Sequence, residues 1–433
     1  MNIIGIRAED KSRWETRAPL VPEDVQHLVR DEGIGFTVQS SPRRVFTDEA
    51  YRDAGASIAA RLDDCPIILG IKEIPPEKFE PRKTYLYFSH TIKGQSANMP
   101  ALRRLMELKC QLIDYERITD DAGRRLVFFG TFAGRAGMID SLWALGRRLA
   151  DEGIDSPFAG LQPAHRYRNL DHAKQEIASA GEAIRRNGLP AALGPLVCGF
   201  TGYGQVSQGA QEVFAVLPVE ELAPDDLAAA TSAKVCYKVV FREEHMVRRL
   251  DPSATFNLPE YYKQPERYAS SFFRYVPHLT LLLNCIYWEP KYPRLITREQ
   301  FGELYAGRSA PRLRVVGDIS CDIDGSVACT VRATTPDSPI YVYDPRSGET
   351  RDGVSGHGPV VLAIDFLPCE LPVDASEFFS TLLRPFMPSL ARADFAAPLS
   401  NAGLAPVLQR AAIVYHGALT EPYGYLKAHL TGI

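Results

Sequence analysis

The sequence contains no C-x-x-C pair. Its eight cysteines (Cys65, Cys110, Cys198, Cys236, Cys285, Cys321, Cys329 and Cys369) are scattered. Neither a zinc knuckle nor a redox dithiol is therefore predicted. Most of them stand in apolar runs and read as small core residues, which fits a reducing cytoplasm. Long hydrophobic runs are also missing. "LTLLLNCIYW" is among the longest, and a bilayer span needs about 20 residues. The start, "MNIIGIRAEDKSRWE", has no signal-peptide core. Neither sign of charge dominates: 49 basic residues face 53 acidic ones, for a net charge of −4. No dense Lys/Arg tract appears, so neither nucleic acid nor a membrane is an expected partner. Internal repeats and low-complexity tracts are absent too. What remains is a chain of 433 residues, 45 % apolar and 24 % charged. That is ordinary globular composition, with length for two or three domains.

The first part alternates strand and helix patterns. Strands are expected at "NIIGIR" (2–7), "GFTVQ", "CPIILGI", "TYLYFS", "QLIDY" (111–115) and "RRLVFFG" (124–130). Helices are expected at 22–32, in "TDEAYRDAG", near 99–110 and over 133–151. "DEGIDSPFAGLQP" reads as a linker. A second alternating unit follows, with a helix at 170–187, the strand "PLVCGF" (195–200), a glycine turn and a helix from about 205. Later strands are "LTLLLNCIY", "RLRVVGDIS", "IYVYD" and "VVLAIDFL". The stretch 233–278 resists assignment. From "PVDASEFFSTLL" onward the chain reads as mostly helical. Strands separated by helices imply α/β architecture with mostly parallel sheets.

Two of the early strands run directly into ionisable residues. "CPIILGIKEIP" ends in Lys72 and Glu73; "YLYFSHTIKGQ" ends in His90 and Lys93. Glu116 follows "LIDY", Arg7 ends the first strand, and Arg17 lies in "ETRAPLVP". Burying charge is costly. Parallel sheets bind ligands beyond the carboxyl ends of their strands. These groups are therefore expected on one rim, at the mouth of a cleft, where a Lys and a His beside a carboxylate can pass protons. The plain alternative is a set of surface residues that merely follow strands.

"CGFTGYGQVSQGAQEVF" places Gly202, Gly204 and Gly209 between an apolar strand and an apolar-periodic helix. Gly202 suits a tight turn, Gly204 a close approach to pyrophosphate, and the helix N-terminus attracts its charge. Ser207 stands at the usual third glycine position. A ribose-binding acid is expected about 20 residues on, which points to Glu220 or Glu221. The plain alternative is an ordinary strand-to-helix turn. "GDISCDIDG" clusters Asp318, Asp322 and Asp324, but its spacing is not that of a calcium loop. His165, His172, His245 and His278 have no companions at metal-ligand spacing. No metal site is expected.

Ten ordered stretches together resemble one family, the lysine-forming saccharopine dehydrogenases, also called lysine–2-oxoglutarate reductases. They are "RAPLVPEDV", "ILGIKEIP", "KTYLYFSHTIKGQ", "LIDYE", "FFGTFAGRAGMID", "FTGYGQVSQGAQ", "YYKQPERY", "NCIYWE", "DISCDIDGS" and "IDFLPCELPVDASEFF". The resemblance covers nearly the whole chain. It is strongest to the reductase half of bifunctional aminoadipic semialdehyde synthase. The wider superfamily includes alanine dehydrogenase and transhydrogenase.

The resemblance implies two Rossmann-like domains with parallel sheets flanking a central cleft. Residues 1–140 with 370–433 would form a discontinuous catalytic domain, and 141–369 the dinucleotide domain. It implies condensation of L-lysine with 2-oxoglutarate and reduction of the imine to saccharopine, or the reverse. Lys72 and His90 would be the acid–base pair, tuned by Glu73 and Glu116. Arg17, Lys93 and Arg125 would hold substrate carboxylates. Gly202, Tyr203, Gly204, Gln205, Val206 and Asp365 would hold the cofactor, NADP(H) in preference to NAD(H). The sequence ends soon after the reductase-like part, which implies a stand-alone enzyme. Two other readings stay open: an enzyme for another amine and keto acid, and a nucleotide-binding regulatory subunit without chemistry.

Overall fold

The computed structural model describes residues 1–307 and 311–430. The chain divides into two compact units, Met1–Phe129 with Pro372–Ile433, and Gly130–Leu371.

The first unit is built on an eight-stranded sheet. From one edge it runs Ser57–Ala59, Phe36–Gln39, Ile4–Ile6, Ile67–Leu69, Thr84–Tyr87, Gln111–Asp114, Ala412–Tyr415, Ala418–Leu419. The first six strands are parallel. Numbered along the chain they run 3-2-1-4-5-6, the order of dinucleotide-binding folds. Ile4, Ile6, Ile67, Leu69 and Leu86 are fully buried. Such strands are covered on both faces, so they read as apolar runs without alternation. The helix Pro22–Glu32 starts with proline and stops at Gly33. Gly33 adopts φ +66°, a left-handed conformation that glycine takes without a Cβ penalty.

One sequence expectation fails here and a second holds only in part. "RRLVFFG" forms no strand; only a single bridge, Thr119 to Arg125, touches it. Its aromatics pack instead. The Phe129 ring stacks on Phe379 with centroids 4.4 Å apart. The C-terminal part is not only helical either. After the helices Pro372–Leu383 and Pro406–Ala411, the run "AIVY" becomes the buried strand Ala412–Tyr415. It pairs antiparallel with Gln111–Asp114. Four buried apolar residues after a short helix carry no periodicity that separates strand from helix.

The second unit also holds an eight-stranded sheet, in the order Val219–Glu221, Cys236–Phe241, Leu196–Thr201, Leu281–Asn284, Val315–Asp318, Val360–Leu362, Ile340–Tyr343, Thr350–Asp352. The first six are parallel and the last two antiparallel. Numbered along the chain the parallel set runs 2-3-1-4-5-6, so the second and third strands have exchanged places relative to the first unit. The helix Gly130–Asp151 belongs wholly to this unit and is not divided at 140. Its packing explains why. A side chain at Gly134 would collide with the Val206 carbonyl, and one at Gly209 with the Thr131 carbonyl. The helices Gly130–Asp151 and Gln205–Phe214 therefore touch backbone to backbone.

Candidate active site and dinucleotide pocket

In the first unit the strands Ile67–Leu69, Thr84–Tyr87 and Gln111–Asp114 are consecutive neighbours. Their ends therefore bring Lys72–Glu73, His90 and Glu116 to one edge of the sheet. Two buried carboxylates fix these turns. Glu9 accepts the backbone N–H groups of Ile71 (2.8 Å) and Lys72 (3.0 Å). Asp114 accepts those of Ser89 (3.0 Å) and Glu116 (2.7 Å). Burial raises both carboxyls above their usual range, against the pull of these hydrogen bonds. Nothing in the polar stretch "RAEDKSRWE" marks Glu9 out, and the sequence reading missed it. Asp114 reads as a strand residue.

His90 Nδ1 lies 2.8 Å from Glu73 Oε1. Burial pushes the Glu73 carboxyl up, but the His90 bond, a backbone N–H and the nearby charges of His90 and Lys72 outweigh it and hold it at about 2. The other oxygen, Oε2, accepts no hydrogen bond among the described residues and stands 3.8 Å from Lys11 Nζ. Asn98 Nδ2 donates to the His90 carbonyl. Lys72 is half-buried, and its ammonium makes no hydrogen bond or ion pair among the described residues.

The remaining candidates are differently engaged. Glu116 pairs with Arg125, not with His90. Arg17 is buried and bidentate on Glu15, at 2.8 and 2.5 Å, with its guanidinium 4.2 Å from the centre of the Phe129 ring. Lys93 is exposed, in a loop held by the Tyr425 hydroxyl on the Ile92 carbonyl (2.6 Å). Arg7 is buried and paired with Asp10 at 2.8 Å.

In the second unit the glycine turn lines a cavity of about 750 Å³, large enough for a cofactor-sized ligand. Gly202 has φ +79° and donates to the Phe241 carbonyl at 2.9 Å. Gly204 starts the helix without a side-chain cap, and a Cβ there would meet nothing within 4 Å. That open cradle, faced by uncapped backbone N–H groups, fits a pyrophosphate. Ser207 is buried under the Gln211 amide; the close helix packing asked of a third glycine is met by Gly209 instead. Tyr203, Gln205 and Val206 also line the cavity, with Tyr261, Tyr262 and Trp288 opposite in the sequence region that resisted assignment or just after it. Asp365 is exposed beyond the strand Val360–Leu362, outside the residues that wall the cavity.

The expected ribose acids are misplaced. Glu220 and Glu221 end the edge strand, and Glu221 pairs with Lys238 at 2.6 Å. The strand beside the glycine strand is Cys236–Phe241, followed by Arg242 and Glu243. The β-branched and aromatic apolar run "CYKVVF" signals a strand, though not its place in the sheet. The three aspartates of "GDISCDIDG" also diverge. Asp318 is buried under Thr330 and Asn284, and burial raises it to about 6. Asp322 lines the cavity, and Asp324 pairs with Arg294 and Arg298. Among the described residues no group of three or more His, Cys, Asp or Glu is placed to hold a metal.

One further cluster lies within this unit. Asp140 and Glu370 are both buried, and Asp140 accepts the Ala164 N–H at 2.7 Å. His165 Nδ1 stands 3.4 Å from Glu370 Oε2. Burial raises both carboxyls, Glu370 to about 7, and each lies against the other. Two such groups cannot both ionise and hold a proton between them.

Known proteins match over nearly the whole chain. The family described as alanine dehydrogenase/PNT, N-terminal domain, matches residues 5–136. The alpha-aminoadipic semialdehyde synthase of Mus musculus is 38 % identical over 442 residues, covering 98 % of this chain and 47 % of that protein. The chain thus spans about half the length of that curated relative. The saccharopine dehydrogenase [NAD(+), L-lysine-forming] of Emericella nidulans is 28 % identical, covering 89 % of this chain and 91 % of that one. Among solved structures, an L-alanine dehydrogenase matches with TM-score 0.61 and 16 % identity, covering 99 % of this chain and all of that one. It shares the fold. No helix of the described residues is long and apolar enough to cross a membrane. On the strength of a match over nearly the whole chain, this protein is a homologue of the alpha-aminoadipic semialdehyde synthases and the lysine-forming saccharopine dehydrogenases, and its fold is shared with L-alanine dehydrogenase.

Proposed function

We propose that this chain is a nicotinamide-dependent oxidoreductase that joins L-lysine to 2-oxoglutarate and reduces the imine to saccharopine, or runs the reverse. The observation that carries this reading is the His90–Glu73 pair beside Lys72. Condensing an amine with a ketone removes protons from the substrate ammonium and delivers one to the departing water. Both steps need groups that can give and take protons. We assign these transfers to Lys72 and His90, with Glu73 orienting the imidazole. Glu116 acts through Arg125.

A reduced nicotinamide, when bound, supplies the hydride to the imine carbon. Gly202, Tyr203, Gly204, Gln205 and Val206 would hold its dinucleotide, and Asp365 would serve its nicotinamide end. NADP(H) is favoured over NAD(H). Lys93, Arg17 and Arg125 are the cations assigned to substrate carboxylates. Arg17 and Arg125 already carry carboxylate partners, Glu15 and Glu116. A dicarboxylic keto acid would replace or share those partners; Lys93 and Arg125 are exposed, and Arg17 is buried. The eight free cysteines support a reducing compartment, which we take to be the cytoplasm.

A regulatory subunit without chemistry would have no use for a carboxylate-oriented histidine next to a half-buried lysine. A related enzyme for another amine and keto acid would keep both. One assay separates the three readings: loss of reduced-nicotinamide absorbance with L-lysine and 2-oxoglutarate, run beside a panel of other amines and keto acids. Turnover that needs both lysine and 2-oxoglutarate is expected. Turnover only with another pair would overturn the substrate, and none with any pair would favour the regulator.

A further inference from the structure

The strand that neighbours the glycine strand decides which nicotinamide cofactor such a fold accepts. Its end faces the adenosine ribose, where a carboxylate takes the 2′-hydroxyl and an arginine takes a 2′-phosphate. In this chain that strand is Cys236–Phe241, and both residue types follow it at once, Arg242 and then Glu243. Their surroundings tell them apart.

Glu243 lines the cavity and Arg242 stands at its margin on Tyr203, but Glu243 is already engaged. Its Oε1 accepts the Tyr262 hydroxyl at 2.7 Å. It also hydrogen-bonds the Tyr203 hydroxyl, and its charge is the largest influence raising that phenol above the usual range. Two phenols therefore compete with any ribose hydroxyl for this carboxylate. Arg242 is exposed and forms no ion pair among the described residues. Its guanidinium carbon lies 4.6 Å from the centre of the Tyr203 ring. Tyr203 stands between Gly202 and Gly204, in the turn that lines the cavity. The ring is thus a platform that holds the guanidinium beside the turn by cation–π attraction. Stacking uses the face of the guanidinium and leaves its edge of N–H donors for an oxyanion.

We propose that Arg242, seated on Tyr203, is the residue that binds the 2′-phosphate and makes the cavity select NADP(H). The inference rests on the nicotinamide reading of that cavity and adds the residue that discriminates. Glu220 and Glu221, placed by chain distance alone, have no part in it.

Equilibrium binding tests it without turnover. Trp288 lines the cavity, so quenching of protein fluorescence reports occupancy. The probes are NADPH, NADH and the half-molecules 2′,5′-ADP and 5′-AMP. A charge-assisted pair of this kind is worth roughly 10- to 100-fold in affinity. Wild type is expected to bind 2′,5′-ADP more tightly than 5′-AMP by about that factor, and NADPH more tightly than NADH. Arg242→Ala should bring each pair within about 3-fold of one another by weakening only the 2′-phosphorylated member. Arg242→Lys should keep part of the gap, and rising salt should narrow it in wild type. Far-ultraviolet circular dichroism should be unchanged, because Arg242 is exposed. A gap that survives Arg242→Ala, an equal loss of 5′-AMP, or a wild-type preference for NADH would overturn the proposal. If wild type binds none of the four nucleotides, the nicotinamide reading itself falls, which is a separate and recognisable result.

Discussion

His90 reaches Glu73 across two paired strands, with Nδ1 2.8 Å from Oε1, and it does so from a left-handed backbone of φ +49°. A non-glycine residue in that region costs of order 1–3 kcal/mol, held by the surrounding structure. Here the hold is visible. Asn98 ties the His90 carbonyl, and Asp114 ties the backbone of Ser89 next to it.

Removing the titrating groups should stop chemistry and spare the fold. Lys72→Met and His90→Gln are each expected to slow turnover by roughly 10²- to 10⁴-fold. Circular dichroism and nucleotide binding should match wild type. The wild-type rate should be bell-shaped in pH, and each variant should lose one limb. The limbs belong to the coupled group, not to one residue. Near-normal turnover with an unchanged profile would make both ordinary surface residues.

Glu73 should also be legible in acid stability. In the fold burial is outweighed by the His90 hydrogen bond, which holds its carboxyl at about 2, below the usual 4.5. A depressed carboxyl adds stability that is present above the unfolded pKa and is lost as pH falls through the folded one. Wild type should therefore lose more stability than Glu73→Gln between pH ~4.5 and ~2 in urea titrations. Parallel losses would show that the pair with His90 contributes nothing to folding.

Asp140 and Glu370 should give the opposite slope. Glu370 is raised to about 7, and Asp140 is raised as well. A raised carboxyl keeps a proton in the folded state that the unfolded chain has released. Stability then falls as pH rises from the unfolded value, ~4.3, toward 7. Glu370→Gln removes one of the two carboxyls. Its stability should decline less than that of wild type between pH 5 and 8. Identical declines would rule out a shared proton.

Three glycines that look alike in sequence should separate by experiment. Gly134→Ala and Gly209→Ala drive a methyl into a neighbouring backbone carbonyl, and should cost on the order of 1–3 kcal/mol or more. Gly204→Ala meets nothing in the chain. Its stability should stay within about 1 kcal/mol of wild type, while NADPH affinity drops by at least ~10-fold because the methyl fills the cradle. Unchanged nucleotide affinity in Gly204→Ala would argue against a pyrophosphate there.

The charged strand ends were readable because parallel strands buried on both faces are apolar runs, and such runs stop where the sheet stops. Lys72, Glu73 and His90 mark those stops directly. The glycine turn was readable for a similar reason: strand, turn and helix follow one another within twenty residues. What sequence hid depends on pairing between distant segments. Glu9 reads as one acid in a polar loop until Ile71 and Lys72 are seen to donate to it. Counting from the glycine turn leads to Glu221, because nothing local reveals that the later strand Cys236–Phe241 slips in between. Arg17 reads as a free cation, and only the fold shows its bidentate bond to Glu15.

The strand Ala412–Tyr415 has a consequence for how the molecule is made. Gln111–Asp114 leaves the ribosome well before its partner on that side, Ala412–Tyr415. The whole of Gly130–Leu371 is synthesised in between, an interval on the order of tens of seconds. Throughout it, a strand of bare N–H and C=O groups stands at the border of a half-built sheet, the kind of template on which nascent chains stick to one another. The contiguous unit can close first, while the unit carrying Lys72, Glu73 and His90 waits for its later segment. Truncations that remove the last strand should thus yield aggregates instead of a weaker enzyme, and holdase chaperones have most to do during that interval.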